Sequence, residues 1–197
     1  MLFLITNRQL IKKGSLYNVI LESLHGGLNG VILREKDLPR EDLLRIAFKL
    51  RNITSSFGAT LIVNGDSYVS KAVNADFFHS GLKSFNKETM FYGAPFGLST
   101  HTLEETIIGE KLGASYLLLS HIFHTNCKKN LPPKGINIIK KATKKCSIPI
   151  IGLGGINEKN ITSIIISGAY GAGVMSAIMG SENPYESTLK LKNAMLK

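Results

Sequence analysis

Ile148-Pro149-Ile150-Ile151-Gly152-Leu153-Gly154-Gly155 opens the stretch on which the fold turns. Its apolar run is continuous rather than alternating, the pattern of a strand buried on both faces. Two glycines end it. An amphipathic segment, Asn157–Ser167, follows with Gly168 as its stop, and a second short apolar run, Ala172–Met175, comes next. Strand, helix and strand in that order make one parallel β/α unit, because parallel neighbours need a long crossover.

The same alternation recurs toward the N-terminus. The runs Leu2–Thr6, Gly30–Leu33, Thr60–Val63, Asp76–Phe78, Phe96–Ser99 and Tyr116–Leu119 bring the strand count to eight. Between them, Leu38–Phe57 sets Leu43, Leu44, Ala47 and Leu50 on one helical face. Thr102–Leu112 opens with Thr102 as N-cap and Glu105 three residues later, a capping box, and Gly113 lies just past its end. The fourth unit is the thinnest, since Lys83–Met90 leaves room for only a short helix. Eight such units predict an α/β fold, a small (β/α)8 TIM barrel occupying residues 1–197 as a single domain. The competing open, doubly wound sheet would usually carry a Gly-x-Gly-x-x-Gly turn after its first strand, and none stands there.

Composition bounds the function. With 197 residues, 44% of them hydrophobic, the chain can build one sizeable core but not two comfortable ones. Met1–Thr6 is apolar but lacks a basic lead-in and a small-residue cleavage site, so it reads as a strand and not a signal peptide. No apolar run approaches the roughly 20 residues of a membrane span. Cys127 and Cys146 show neither metal-ligand nor disulfide spacing, which suits a reducing cytoplasm. The formal charge of +10 raises nucleic acid as a partner. The densest basic stretch, Lys128–Lys145, has no interleaved aromatics and is split by Pro132-Pro133, and Lys140, Lys141, Lys144 and Lys145 read as a solvated helix face. Neither nucleic acid nor membrane is therefore expected as a partner; a positive field also draws in small anions. A homo-oligomer is compatible with the sequence.

In a barrel, chemistry sits just after each strand. Those positions hold Arg34 and Lys36, Asn64, His79, Thr100, His121 through Lys129, Gly154-Gly155, and Ser176-Ala177. The Gly-Gly pair lets backbone N–H groups approach an anion, and Ser176-Ala177 begins a helix whose N-terminus favours phosphate; the glycines equally serve a tight turn. A guanidinium at Arg34 suits a carboxylate or phosphate, or else a structural pair with an acid. His121 is the candidate proton carrier, because imidazole titrates near neutral pH, though a histidine there can equally be structural. Asp66 stands alone in the third loop, and His79-Ser80-Gly81-Leu82-Lys83-Ser84 offers no carboxylate. Neither metal nor other cofactor is expected on that count.

Four stretches carry a resemblance: Val31–Lys36, Ser120–Lys129, Pro149–Ile156 and Gly171–Ile178. In this order they resemble the thiamine phosphate synthase/TenI superfamily over nearly the whole chain. The synthase branch joins a pyrimidine diphosphate to a thiazole phosphate and uses Mg²⁺. Its pattern has Asn-Asp after strand three and His-x-Gly with a second Asp after strand four. Asn64, His79 and Gly81 match it, but Gly65 and Lys83-Ser84 stand at the carboxylate positions. His121 replaces a proline of the sixth loop, and that form resembles the TenI branch, whose catalytic histidine maps onto it. The resemblance thus implies a thiazole tautomerase, an isomerase that aromatises a carboxythiazole phosphate by a metal-independent proton shift. His121 would be catalytic. Arg34, Lys36, Asn64, His79 and Thr100 would contact the phosphorylated thiazole, as would Lys129, Gly154, Gly155, Ser176 and Ala177. The alternatives are a thiamine phosphate synthase and a non-catalytic regulatory binder of thiazole or thiamine phosphates.

Overall fold

Eight short apolar runs become strands because each is covered on both faces, by a shared interior and by a sleeve of helices. The computed structural model describes residues 1–86, 94–125 and 131–196. Its strands are β1 (Leu2–Ile5), β2 (Gly30–Leu33), β3 (Thr60–Asn64), β4 (Phe77–Gly81), β5 (Phe96–Thr100), β6 (Tyr116–Ser120), β7 (Ile150–Leu153) and β8 (Gly171–Val174). They pair in sequence order, every pair parallel, and β8 closes on β1. The helices are α1 (Leu16–His25), α2 (Arg40–Ser56), α3 (Ser67–Ala72), α4 (Leu103–Lys111), α5 (Ile136–Lys145), α6 (Ile161–Ile166), α7 (Ser176–Met179) and α8 (Pro184–Met195). This is the (β/α)8 barrel that the alternation of runs predicts.

Strand parity divides the core. Leu4, Val31, Leu33, Leu61, Val63, Leu119, Ala172 and Val174 face outward and pack with Ile20, Ala47, Leu50, Ile139 and Ile164 of the helices. Phe3, Ile5, Ile32, Ile62, Tyr116, Leu118 and Ile151 face inward and fill the barrel. Burying each such large aliphatic side chain is worth about 1.5–3 kcal/mol, so both layers drive closure. The interior is packed tightly enough to dictate a glycine. A Cβ on Gly97 would sit 2.1 Å from the ring of Tyr116, its neighbour on β6.

The capping box before α4 forms with one change. The Thr102 hydroxyl accepts from the Glu105 N–H at 3.1 Å, while the Glu105 carboxylate accepts from the N–H of His101, not Thr102, at 2.6 Å. The segment expected as helix from Asn157 to Ser167 is shorter, only α6, because Asn157–Asn160 folds as a turn closed by the Asn160 amide. In unit four the described residues hold a 3-10 turn, Leu82–Ser84; the rest of the expected Lys83–Met90 helix lies mostly outside them. Strands β4 and β5 run further than their apolar cores suggest, taking His79 and Thr100 into the sheet.

Candidate active site at the C-terminal rim

At the β1–β2 rim, charge is sorted. The Arg8 guanidinium donates to both oxygens of Asp37, at 2.7 and 2.6 Å, and to Glu35 Oε2 at 3.1 Å. The Arg8 backbone N–H also points at the Glu35 carboxylate, 3.1 and 3.2 Å from its oxygens. Glu35 is almost fully buried, and Asp37 is held down at a pKa of about 2, chiefly by the hydrogen bonds from Arg8. The expected alternative, a structural Arg–acid pair, exists, but its arginine is Arg8. The Arg34 guanidinium and the Lys36 ammonium have no partner among the described residues, and both line a cleft of about 150 Å³ with Asn7, Gln9, Glu35 and Asp37. β2 ends at Leu33, and Arg34 and Lys36, two residues apart in the turn that follows, lie on the same side of the cleft. The Arg34 N–H anchors the turn by donating to the Thr6 hydroxyl at 2.9 Å.

Beneath the rim lies a polar chain inside the barrel. His79 Nδ1 is 2.8 Å from the Tyr116 hydroxyl and its Nε2 is 2.8 Å from Ser99 Oγ. Burial pushes the imidazole down to about 4, so it is neutral, with one nitrogen donating and the other accepting. Both nitrogens are therefore occupied within the barrel. Asn64 is paired in register with His79 at the end of β3, and its side chain makes no hydrogen bond among the described residues. Thr100 faces the other way. Its hydroxyl is buried 3.3 Å from Thr106 of α4, in the sheet–helix layer and not at the mouth. Ser99, one residue earlier, has the inward parity that sequence reading gave to Thr100. Arg8, Ser99 and Tyr116 are the residues that reading missed.

The β6–β7 rim is built from backbone. The N–H groups of Ile122 and Phe123 donate to the carbonyls of Leu153 and Gly154, each at 3.0 Å. Gly154 and Gly155 have φ of +103° and +66°. Added Cβ atoms would lie 2.4 Å from His121 Cβ and 2.2 Å from the His124 carbonyl oxygen. The glycine pair thus permits two loops to touch, whatever it offers a ligand. His121 follows a cis peptide bond from Ser120, is 2% exposed, and has Nε2 3.2 Å from the Leu131 carbonyl, to which it can donate. His124 is exposed, and Cys127 and Lys129 lie outside the described residues. Ser176 is exposed and Ala177 half-buried in α7, a helix of a single turn.

Residues 2–178 match the family model described as thiamine monophosphate synthase. The chain belongs to the thiamine monophosphate synthase family. A thiamine-phosphate synthase of Clostridium acetobutylicum is 33% identical over 185 residues, covering 92% of this chain and 88% of that one. A thiamine-phosphate synthase of Dictyoglomus turgidum is 37% identical over 179 residues, covering 88% and 80%. The solved thiamine phosphate pyrophosphorylase of Pyrococcus furiosus superposes with a TM-score of 0.91 at 29% identity, covering 99% of this chain and 95% of that one.

These family relationships correct the function expected from the sequence. The tautomerase, an isomerase, rests on two local departures, at Gly65 and Lys83-Ser84 and in the sixth loop. Relatives at 30 to 37% identity over most of the chain are named thiamine-phosphate synthase, which are transferases. Whole-chain likeness outweighs the local departures, and His121 loses the role that rested on the proton shift.

The synthase branch implies Mg²⁺, and the described donors of the third and fourth loops do not fit it. Gly65 has no side-chain donor. Asp66 is committed: Oδ1 caps α3 by accepting from Val69 N–H at 3.0 Å, and Oδ2 accepts from Arg40 Nε at 2.7 Å. Leu82–Ser84 brings no carboxylate. Among the described residues no group of three or more His, Cys, Asp or Glu side chains could hold a metal ion; Glu88 lies outside them. No helix among the described residues is long and apolar enough to cross a membrane.

Proposed function

We propose that this protein is a transferase forming thiamine phosphate from a pyrimidine diphosphate and a thiazole phosphate. The observation that carries the reading is the 33% identity, over 92% of this chain, to a relative named thiamine-phosphate synthase. In such a joining, the thiazole nitrogen bonds to the pyrimidine methylene carbon as the carbon–oxygen bond to diphosphate breaks. The electron pair of that bond leaves with the diphosphate. Both substrates are polyanions, and the leaving group gains charge as the bond breaks. Two unpartnered cations on one cleft, Arg34 and Lys36, support the reading, since fixed positive groups stabilise a departing anion where its charge develops. The overall charge of +10 favours capture of such substrates. The backbone of Gly154, Gly155, Ser176 and Ala177 follows β7 and β8, where barrels frequently bind phosphate, which supports these residues as the holders of the second phosphate, with Asn64 at the end of β3 as a further contact. His79 supports the floor from within.

The test is direct. Purified protein is given both substrates with Mg²⁺, and thiamine phosphate and released diphosphate are quantified. Equimolar formation of the two is expected. Absence of product over a range of Mg²⁺ and Mn²⁺ concentrations, from protein shown to be folded, would refute the transferase.

A further inference from the structure

The loop after β2 is electrically balanced by itself. Arg34-Glu35-Lys36-Asp37 carries two positive and two negative side chains in four consecutive residues. Left alone, such a loop neutralises itself, and neither cation is free for a ligand. The structure prevents this with a fifth charge from the neighbouring loop. Arg8, in the turn after β1, takes both acids: Asp37 with two short bonds, Glu35 with one from the guanidinium and two contacts from its own N–H. Gln9 adds a bond to Asp37 Oδ2 at 3.2 Å. Glu35 is thereby held at 1% side-chain exposure, while Asp37, 45% exposed, stays beside it on the cleft with both oxygens taken by Arg8. Arg34 and Lys36 remain on the cleft without partners among the described residues.

We propose that Arg8 is a positioning residue for the diphosphate-bearing substrate, occupying the Glu35 and Asp37 carboxylates so that Arg34 and Lys36 are not drawn into pairs with them and the cleft keeps a net positive charge. The inference rests on the transferase reading for its ligand. It adds a residue that does not touch that ligand but sets the charge that does. Removing Arg8 leaves two carboxylates beside two cations, free to pair with them or to repel the anion. Removing Arg8 together with the charge of Asp37 undoes most of the damage. A residue needed only to hold the loop's shape would show no such rescue.

The probe is inorganic pyrophosphate, titrated calorimetrically into the full chain, with circular dichroism to check the fold. Wild-type protein should bind it. Arg8→Ala should bind at least about tenfold more weakly, the loss expected when charged hydrogen-bond donors are neutralised by new partners. Arg8→Ala with Asp37→Asn should recover to within about threefold of wild type. In turnover, Arg8→Ala should raise KM for the pyrimidine diphosphate far more than it lowers kcat, and leave KM for the thiazole phosphate alone. Should Arg8→Ala not fold, Arg8→Gln, which keeps a neutral donor, is held to the same thresholds. Pyrophosphate binding within twofold of wild type in the single variant, or no recovery in the double variant, overturns the positioning role while leaving the transferase standing. A wild-type protein that forms product yet ignores pyrophosphate overturns the role as well. One that does neither overturns both readings.

Discussion

The β1–β2 rim and the β6–β7 rim of one barrel mouth are built on opposite principles. The first is made of side chains: Arg8, Glu35 and Asp37 paired across 27 to 29 residues of sequence, with Arg34 and Lys36 left over. The second is made of backbone: two glycines at positive φ against the chain from His121 to His124, tied by carbonyl–amide bonds. A charged, partly exposed rim contributes little to stability, because solvent screens it, but it can set affinity for an anion. A rim in backbone contact has no slack. Function and stability are therefore expected to separate by rim.

The sharpest way to break that contrast is Gly155→Val. The new side chain would meet the His124 carbonyl at 2.2 Å from Cβ alone, at a φ of +66° that a β-branched residue resists. Left-handed strain and overpacking together should cost about 3 kcal/mol or more in denaturant unfolding. A loss under about 1 kcal/mol would mean that the rim yields. The floor between the rims predicts a pH effect of similar or smaller size. His79 has a folded pKa of about 4 against an ordinary 6.5. As pH falls from 6.5 toward 4, the unfolded chain takes up a proton that the folded chain refuses. Stability is thus fully present above that window and falls within it, by on the order of 3 kcal/mol. His79→Gln should be less stable at pH 7 but lose that part of the slope; an unchanged slope would assign the acid sensitivity elsewhere. The smallest effect belongs to the charged rim. Lys36→Gln should alter unfolding by no more than about 0.5 kcal/mol, as for unpartnered surface positions. Its diphosphate affinity should fall several-fold, and a large stability loss with unchanged affinity would reverse the contrast.

The barrel was legible because runs such as Tyr116–Leu119 and Ile148–Leu153 are apolar throughout, which only strands covered on both faces require. Their ends were less so. Thr100 looked like a loop residue because apolar character stops before it, yet β5 continues through it, and one residue of extension turns a side chain from the mouth to α4. Arg34, Lys36 and the glycine pair could be found because position after a strand is itself a signal in this fold. Arg8 could not, since its partners are set by the β1–β2 pairing and not by spacing in the sequence. The activity is illegible for another reason. Gly65 and Lys83-Ser84 report only which donors two loops contain, and not which branch of the superfamily the whole chain follows.

Gly97 and Tyr116 bind the history of this chain as well as its interior. A Cβ at position 97 would enter the tyrosine ring, and the hydroxyl of that ring is a partner of His79. Mutational paths across these positions therefore have a direction. A smaller residue at 116 can arise first, leaving a void and a histidine nitrogen to be satisfied by water or by a new neighbour. An alanine at 97 arising first meets a filled space. Across descendants of this barrel, alanine at 97 should be found only where 116 is no longer a large aromatic, and position 79 should vary with them, so that the three drift as one inherited unit.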